Sequence, residues 1–145
     1  MKKEIKSQIT INAPINRVWD VLANFEAYAS WSPTIRKFFG NPTVGHRTKV
    51  LLQQPNGFKI KMNPVFLKMD QNQELRWKGR LGIDGIFDGE HYFQLTAINE
   101  TQTLFVQGEI FSGILVGLLK KMIDVDTLQG FELFNQAIKQ EVEND

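Results

Sequence analysis

The sequence predicts an α+β domain: a curved antiparallel sheet of about seven strands, covered on one face by one long C-terminal helix, with two short helices after the first strand. Three observations carry this expectation. Most of the chain alternates apolar and polar residues with the period of two that marks half-buried strands. From Leu115 to Val142 the period changes to a helical one. Between the first strand and the rest, short apolar stripes at helical spacing flank Asn24. The chain has 145 residues and no repeat, low-complexity stretch or linker, so residues 1–145 are expected to form a single domain.

The elements follow in order. In residues 4–11, Ile5, Ile9 and Ile11 alternate with Glu4, Lys6, Gln8 and Thr10, a half-buried strand. Pro14 suits the first turn of a helix, where its missing N–H costs nothing. Ile15, Val18, Trp19, Val21 and Leu22 form its apolar stripe. Asn24 is placed to cap a second short helix from Phe25 to about Ser30. Pro33 drives Ser32 out of the helical region and ends it.

Strands are then expected at 46–52, 58–62, 75–81, 87–97 and 103–111, with another after Pro64. There the apolar parity moves to Val65, Leu67 and Met69, which predicts a bulge at Asn63-Pro64. Turns are expected at 82–85 and 99–102. The sequon Asn99-Glu100-Thr101 falls in the second of these and reads as a hairpin turn. Leu118, Leu119, Met122, Ile123, Phe131, Phe134, Ala137 and Ile138 mark the last helix, interrupted by Asp124 and Asp126, with Gly130 inside it.

Composition narrows the function. Apolar residues make up 42% and charged residues 23%, enough for a buried core. A net charge of +1 argues against a nucleic-acid partner, which calls for a strong basic excess. The absence of cysteine excludes disulfides and Cys-ligated zinc. Met1-Lys2-Lys3-Glu4-Ile5 lacks a signal-like apolar run, and a cytoplasmic location is expected. No P-loop, dinucleotide fingerprint or nucleophile motif is present, so no cofactor is expected.

The order of elements resembles the START/birch-pollen-allergen-like (SRPBCC) superfamily, and within it the polyketide cyclase/dehydrase and lipid-transport group. The residues that carry the likeness span the chain. They are Ile11-Asn12-Ala13-Pro14 with Val18-Trp19 and Val21-Leu22, and Tyr28 with Trp31-Ser32-Pro33. Further on come Leu75 with Trp77, Gly89-Glu90-His91 with Phe93 and Leu95, and Glu109, Phe111 and Gly113. The resemblance implies a helix-grip fold with a deep, mostly apolar cavity between sheet and C-terminal helix. A dry void of even about 300 Å³ would cost on the order of 7 kcal/mol, so such a cavity implies a ligand, held water or collapse.

Candidate site residues are those on faces turned toward that cavity. The aromatics are Phe25, Tyr28, Trp31, Trp77, Phe93, Phe111, Phe131 and Phe134, with Trp31 expected at the mouth. The aliphatics are Val50, Ile60, Leu119 and Ile123. His91 shares its strand face with Phe93 and Leu95. Periodicity alone leaves residues 103–111 open: either Leu104, Val106 and Ile110 face inward, or Phe105, Gln107, Glu109 and Phe111 do. The resemblance favours the second set, which brings Gln107 and Glu109 beside His91. A buried carboxylate there needs a partner, and the imidazole is the obvious one. His91 and Glu109 are the candidate acid/base pair.

Other clusters offer less. Asp84, Asp88, Glu90 and His91 are close in sequence, but Asp88 and Glu90 project away from His91, and no metal is expected. Lys59, Lys61, Arg76, Lys78 and Arg80 share the outward parity and read as surface charge, with a basic stripe facing an anionic membrane as the alternative. Phe111 through Leu119 is apolar and followed by Lys120-Lys121. It reads either as the buried start of the last helix or as a segment that touches a bilayer transiently.

Three functions follow. The first is a carrier or sensor binding a small hydrophobic molecule such as a lipid, polyketide, quinone or other aromatic. The second is an aromatase/cyclase or dehydratase using His91 and Glu109. The third is a protein-interaction module of the same fold.

Overall fold

A five-stranded and a three-stranded antiparallel sheet together make the curved sheet. The structure, a computed structural model, describes residues 2–80, 83 and 85–144. The predicted strand end at Leu81 and the turn residues Gly82 and Asp84 lie outside them. The first strand, β1 (Lys2–Ile11), alternates in exposure along its length and ends on fully buried Ile11. Helix α1 (Ile15–Leu22) buries Val18, Trp19 and Leu22, with Pro14 at its N-cap position. A single 3-10 turn (Phe25–Ala27) leads into α2 (Tyr28–Trp31). Asn24 occupies the cap position of that turn, but its side chain makes no capping hydrogen bond. Ser32 is extended, as the proline after it requires.

Seven more strands follow: β2 (Ile35–Phe38), β3 (Val50–Gln53), β4 (Lys59–Met62), β5 (Val65–Asp70), β6 (Glu74–Arg80), β7 (Asp88–Asn99) and β8 (Gln102–Ser112). The larger sheet has the order β1-β8-β7-β6-β5 and the smaller the order β2-β3-β4. Asn63-Pro64 is therefore not a bulge within one strand but the corner where the chain leaves the smaller sheet for the larger. Pro64 suits a corner because it has no N–H to offer a ladder. The real register shift lies between Phe66 and Lys68. It turns Phe66 fully inward and leaves Leu67 exposed, the reverse of the expected parity. The outer edge of β5 is not bare. The backbone of His46 and Gly45 bonds to Phe66, and Thr48 N–H donates to Pro64. This segment precedes β3, so only the end of the predicted 46–52 strand is ladder-paired within a named strand.

The last third also departs from expectation. Residues 113–119 form turns, and helix begins at α3 (Lys120–Met122). It passes through a π-turn (Ile123–Thr127) into α4 (Leu128–Glu143). The residues of 111–119 split between two environments. Phe111 and Val116 are buried, while Ile114 is 76% and Leu118 79% exposed. No helix among the described residues is long and apolar enough to cross a membrane.

Helix α4 buries Phe131, Phe134, Asn135, Ile138 and Val142 on one stripe. Its C-terminal half is tied to β1 and α1. Arg17 donates to the Val142 carbonyl at 2.6 Å, Lys139 to the Thr10 carbonyl at 2.9 Å, and the Asn12 N–H to Glu143 at 2.7 Å. The main core gathers Tyr28, Phe38, Phe66, Phe93, Phe105 and Phe134 among aliphatic side chains from both sheets. Burial pushes the Tyr28 phenol well above its usual range, so it stays neutral while donating to the Leu22 carbonyl. A second cluster, Phe87, Phe111, Val116 and Ile123, packs near the start of the helical segment.

Candidate functional site

Between these two clusters lies a cavity of about 360 Å³. Its walls come from β3 and β4 with their connecting hairpin, from β6, β7 and β8, and from residues 119–131. Phe58, on the hairpin, both lines the cavity and is 61% exposed, so it stands at the rim.

The polar part of the wall is built by strand register. His91 on β7 lies opposite Trp77 on β6 and opposite Glu109 on β8. Side chains at paired positions share a face, so all three point into the cavity. Gln107, two residues earlier on β8, shares that face and is fully buried. Its amide donates to the Phe131 carbonyl at 3.4 Å and to Asn135 Oδ1 at 2.9 Å. Asn135 donates in turn to Ser7 Oγ at 3.1 Å. A backbone carbonyl only accepts, which fixes the NH₂ group of Gln107 toward α4 and its oxygen toward His91. His91 Nε2 therefore donates to Gln107 Oε1, at 2.8 Å. The other ring nitrogen, Nδ1, faces Glu109 Oε1 at 3.4 Å. Trp77, Phe93 and Phe131 hold the imidazole with ring centroids 5.0, 4.7 and 5.2 Å away. Glu109 has room because its neighbour is Gly89: a Cβ there would clash with Glu109 Oε2.

The chemistry available is that of an oriented imidazole and a half-buried carboxylate. With Nε2–H donated to Gln107, Nδ1 is the ring nitrogen turned toward Glu109.

Nine of the expected site residues line the cavity: Val50, Ile60, Trp77, His91, Gln107, Glu109, Phe111, Leu119 and Phe131. Six are placed elsewhere. Phe25 packs on Tyr28, Phe38 and Phe66, and Tyr28 is fully buried in the main core. Trp31 is not at the mouth, because its ring lies against Tyr28 and Phe134. Phe93 and Phe134 are fully buried in the main core, and Ile123 in the second cluster.

Sequence reasoning missed Thr34, the hairpin residues 53–55, Met62, Phe87, Gly89, Asp126 and Thr127. Asp126 and Thr127 belong to the π-turn, whose extra residue no 3.6 period reveals. The acidic group near His91 does not converge. Asp88 turns to the Gly85 N–H, Glu90 pairs with Arg76 on the opposite face, and Asp84 lies outside the described residues. No group of three ligating side chains is assembled among the described residues. The basic residues do not form one stripe either. Lys59 and Lys61 lie on the smaller sheet, and Arg76 on the larger is held between Glu74 and Glu90.

The family described as polyketide cyclase/dehydrase and lipid transport matches residues 2–143. No functionally curated protein matches the sequence. Solved structures share the fold at low identity. An aromatase/cyclase from Streptomyces sp. R1128 superposes with a TM-score of 0.81 at 16% identity, covering 99% of this chain and 95% of that one. A truncated norcoclaurine synthase from Thalictrum flavum gives 0.76 at 14% identity, covering 100% and 96%. A START superfamily protein from Mycobacterium smegmatis gives 0.73 at 17% identity, covering 97% of each chain.

Proposed function

The chain belongs to the polyketide cyclase/dehydrase and lipid-transport family, and from that premise we propose that it is a carrier or sensor of a small hydrophobic molecule held in the cavity beneath its C-terminal helix. One observation carries the reading: a mostly apolar space of about 360 Å³ with one polar wall, His91, Gln107 and Glu109. The cavity opens at the rim where Phe58 stands, and its apolar walls favour a guest that buries them from water. The size fits a lipid, polyketide, quinone or other aromatic of modest bulk. Native mass spectrometry of the purified protein, with solvent extraction, tests this. A discrete apolar adduct is expected, and a clean apo mass that persists after incubation with such molecules counts against it.

A second reading is an aromatase/cyclase or dehydratase with His91 and Glu109 as acid and base. What favours it is the committed Nε2–H, which leaves Nδ1 and Glu109 at 3.4 Å as the exchanging pair. His91→Ala separates the two: a carrier keeps its ligand with weaker affinity, whereas an enzyme loses turnover by about 10²–10⁴-fold. A pure interaction module has no use for a cavity of this size, which weighs against that third reading. Transient membrane contact belongs to the carrier proposal, through exposed Ile114 and Leu118 close in sequence to Lys120 and Lys121. Cosedimentation with anionic vesicles, lost in Leu118→Ser, is the expected sign of it.

A further inference from the structure

We infer that the cavity takes amphipathic molecules whose polar group is a protonated amine and discriminates against carboxylates and phosphates of the same shape. The inference rests on the reading that this cavity binds a small hydrophobic molecule.

The charges of the lining carry it. Glu109, Asp126 and the imidazole of His91 border the space, and among the described residues no lysine or arginine does. The chain as a whole is balanced, with 17 Lys and Arg against 16 Asp and Glu, so the exclusion of cations is local to this wall. The two aspartates of the last helical segment are treated differently. Asp124 is paired with Lys3 at 2.5 Å. Asp126, in the π-turn, faces the cavity with no hydrogen bond or ion pair to any described residue. π-turns recur where a helix presents a functional side chain.

The formal charge of the lining is negative in either state of His91. A neutral ring leaves two carboxylates uncompensated, and an imidazolium leaves one. An anionic headgroup would enter against like charge with no cation to accompany it. A protonated amine meets a free carboxylate at Asp126 and the faces of Trp77, Phe87, Phe111 and Phe131, which attract cations.

The test is isothermal titration of the full chain at neutral pH with three probes of one shape: naphthylethylamine, naphthylethanol and naphthylacetate. The amine is expected to bind at least about tenfold more tightly than the carboxylate, with the alcohol between. Asp126→Asn, an isosteric change at a part-exposed position, is expected to shrink the amine-to-carboxylate ratio while sparing the alcohol. Carboxylate binding as tight as that of the alcohol overturns the charge preference and leaves cavity binding standing. An unchanged ratio in Asp126→Asn overturns the role given to that side chain. Failure of all three probes to bind removes the binding reading and this inference with it.

Discussion

His91 Nε2 donates to Gln107 Oε1 at 2.8 Å, and Gln107 passes the constraint on to Asn135 of α4 at 2.9 Å. The orientation of a cavity-wall imidazole is thereby set from outside the cavity. Gln107→Leu leaves His91 Nε2–H and Asn135 Oδ1 without these partners in a buried setting. It should lower stability by about 1–3 kcal/mol in urea titrations. Nitrogen NMR of the wild type should show neutral His91 as the Nε2–H tautomer. A predominantly Nδ1–H ring would refute the relay.

The cavity wall and the core should respond differently to truncation. Phe134 is fully buried and meets Tyr28, Trp31, Phe93 and Phe105. Phe134→Ala should cost about 3–5 kcal/mol. Phe131→Ala removes a ring that already borders empty space, so it should cost less and change ligand affinity more. Equal losses of stability would mean that the cavity is closed in solution.

Gly130 offers a stabilising change. A Cβ there would meet Thr34 Cγ2 at 3.7 Å and Pro55 Cδ at 3.9 Å, ordinary contact distances. Gly130→Ala should therefore recover about 1 kcal/mol of helix propensity. A drop in the urea midpoint would show that hairpin and helix lie closer than this.

Gly89→Ala should do the opposite at the site. The new methyl takes the position of Glu109 Oε2, and the carboxylate, being the end of a flexible chain, swings away from His91. The fold should survive, while the His91 ring resonances at neutral pH move from their wild-type positions. Unmoved resonances would show that the Nδ1–Glu109 pair does not form.

Acid should weaken the fold through two carboxylates. Partial burial opposes ionisation of Glu74 and Glu143, but hydrogen bonds outweigh it and hold both below the usual carboxylate range. Arg76 and Gln94 supply them to Glu74, and Lys139 and the Asn12 N–H to Glu143. Depressed folded values mean the stabilisation is fully present above about pH 4.5 and is lost as pH falls through the folded values. Thermal midpoints should fall across that window. Glu74→Gln with Glu143→Gln should flatten the fall, and an equally steep one would assign the loss to other groups.

Regular alternation made β1, β6, β7 and β8 legible, and with them the polar wall. The resemblance to known cavity proteins, and not periodicity, turned Gln107 and Glu109 inward. What was hidden has a local physical cause in each case. β2 reads Ile35-Arg36-Lys37-Phe38, with apolar residues three apart, because a register shift between Ile35 and Lys37 breaks its alternation. The shift at Phe66–Lys68 leaves β5 legible as a strand but hides that Phe66, and not Leu67, faces inward. Asp126 reads only as an interruption of an apolar helix, since the π-turn that aims it at the cavity leaves no period of its own.

The division into two sheets bears on how the protein accommodates guests. Among the described residues, the β2-β3-β4 leaf shares no ladder with the larger sheet. The Pro64 corner and the isolated bridges Val44–Phe66 and Arg47–Val65 tie the chain on either side of the leaf to β5. Its hairpin is also one jaw of the cavity. The volume available is thus governed by the angle between two leaves as well as by the side chains that line it. On the carrier reading, a larger guest should open the book rather than repack the core, and amide exchange in β3 and β4 should slow when it is bound while β7 and β8 stay as they were.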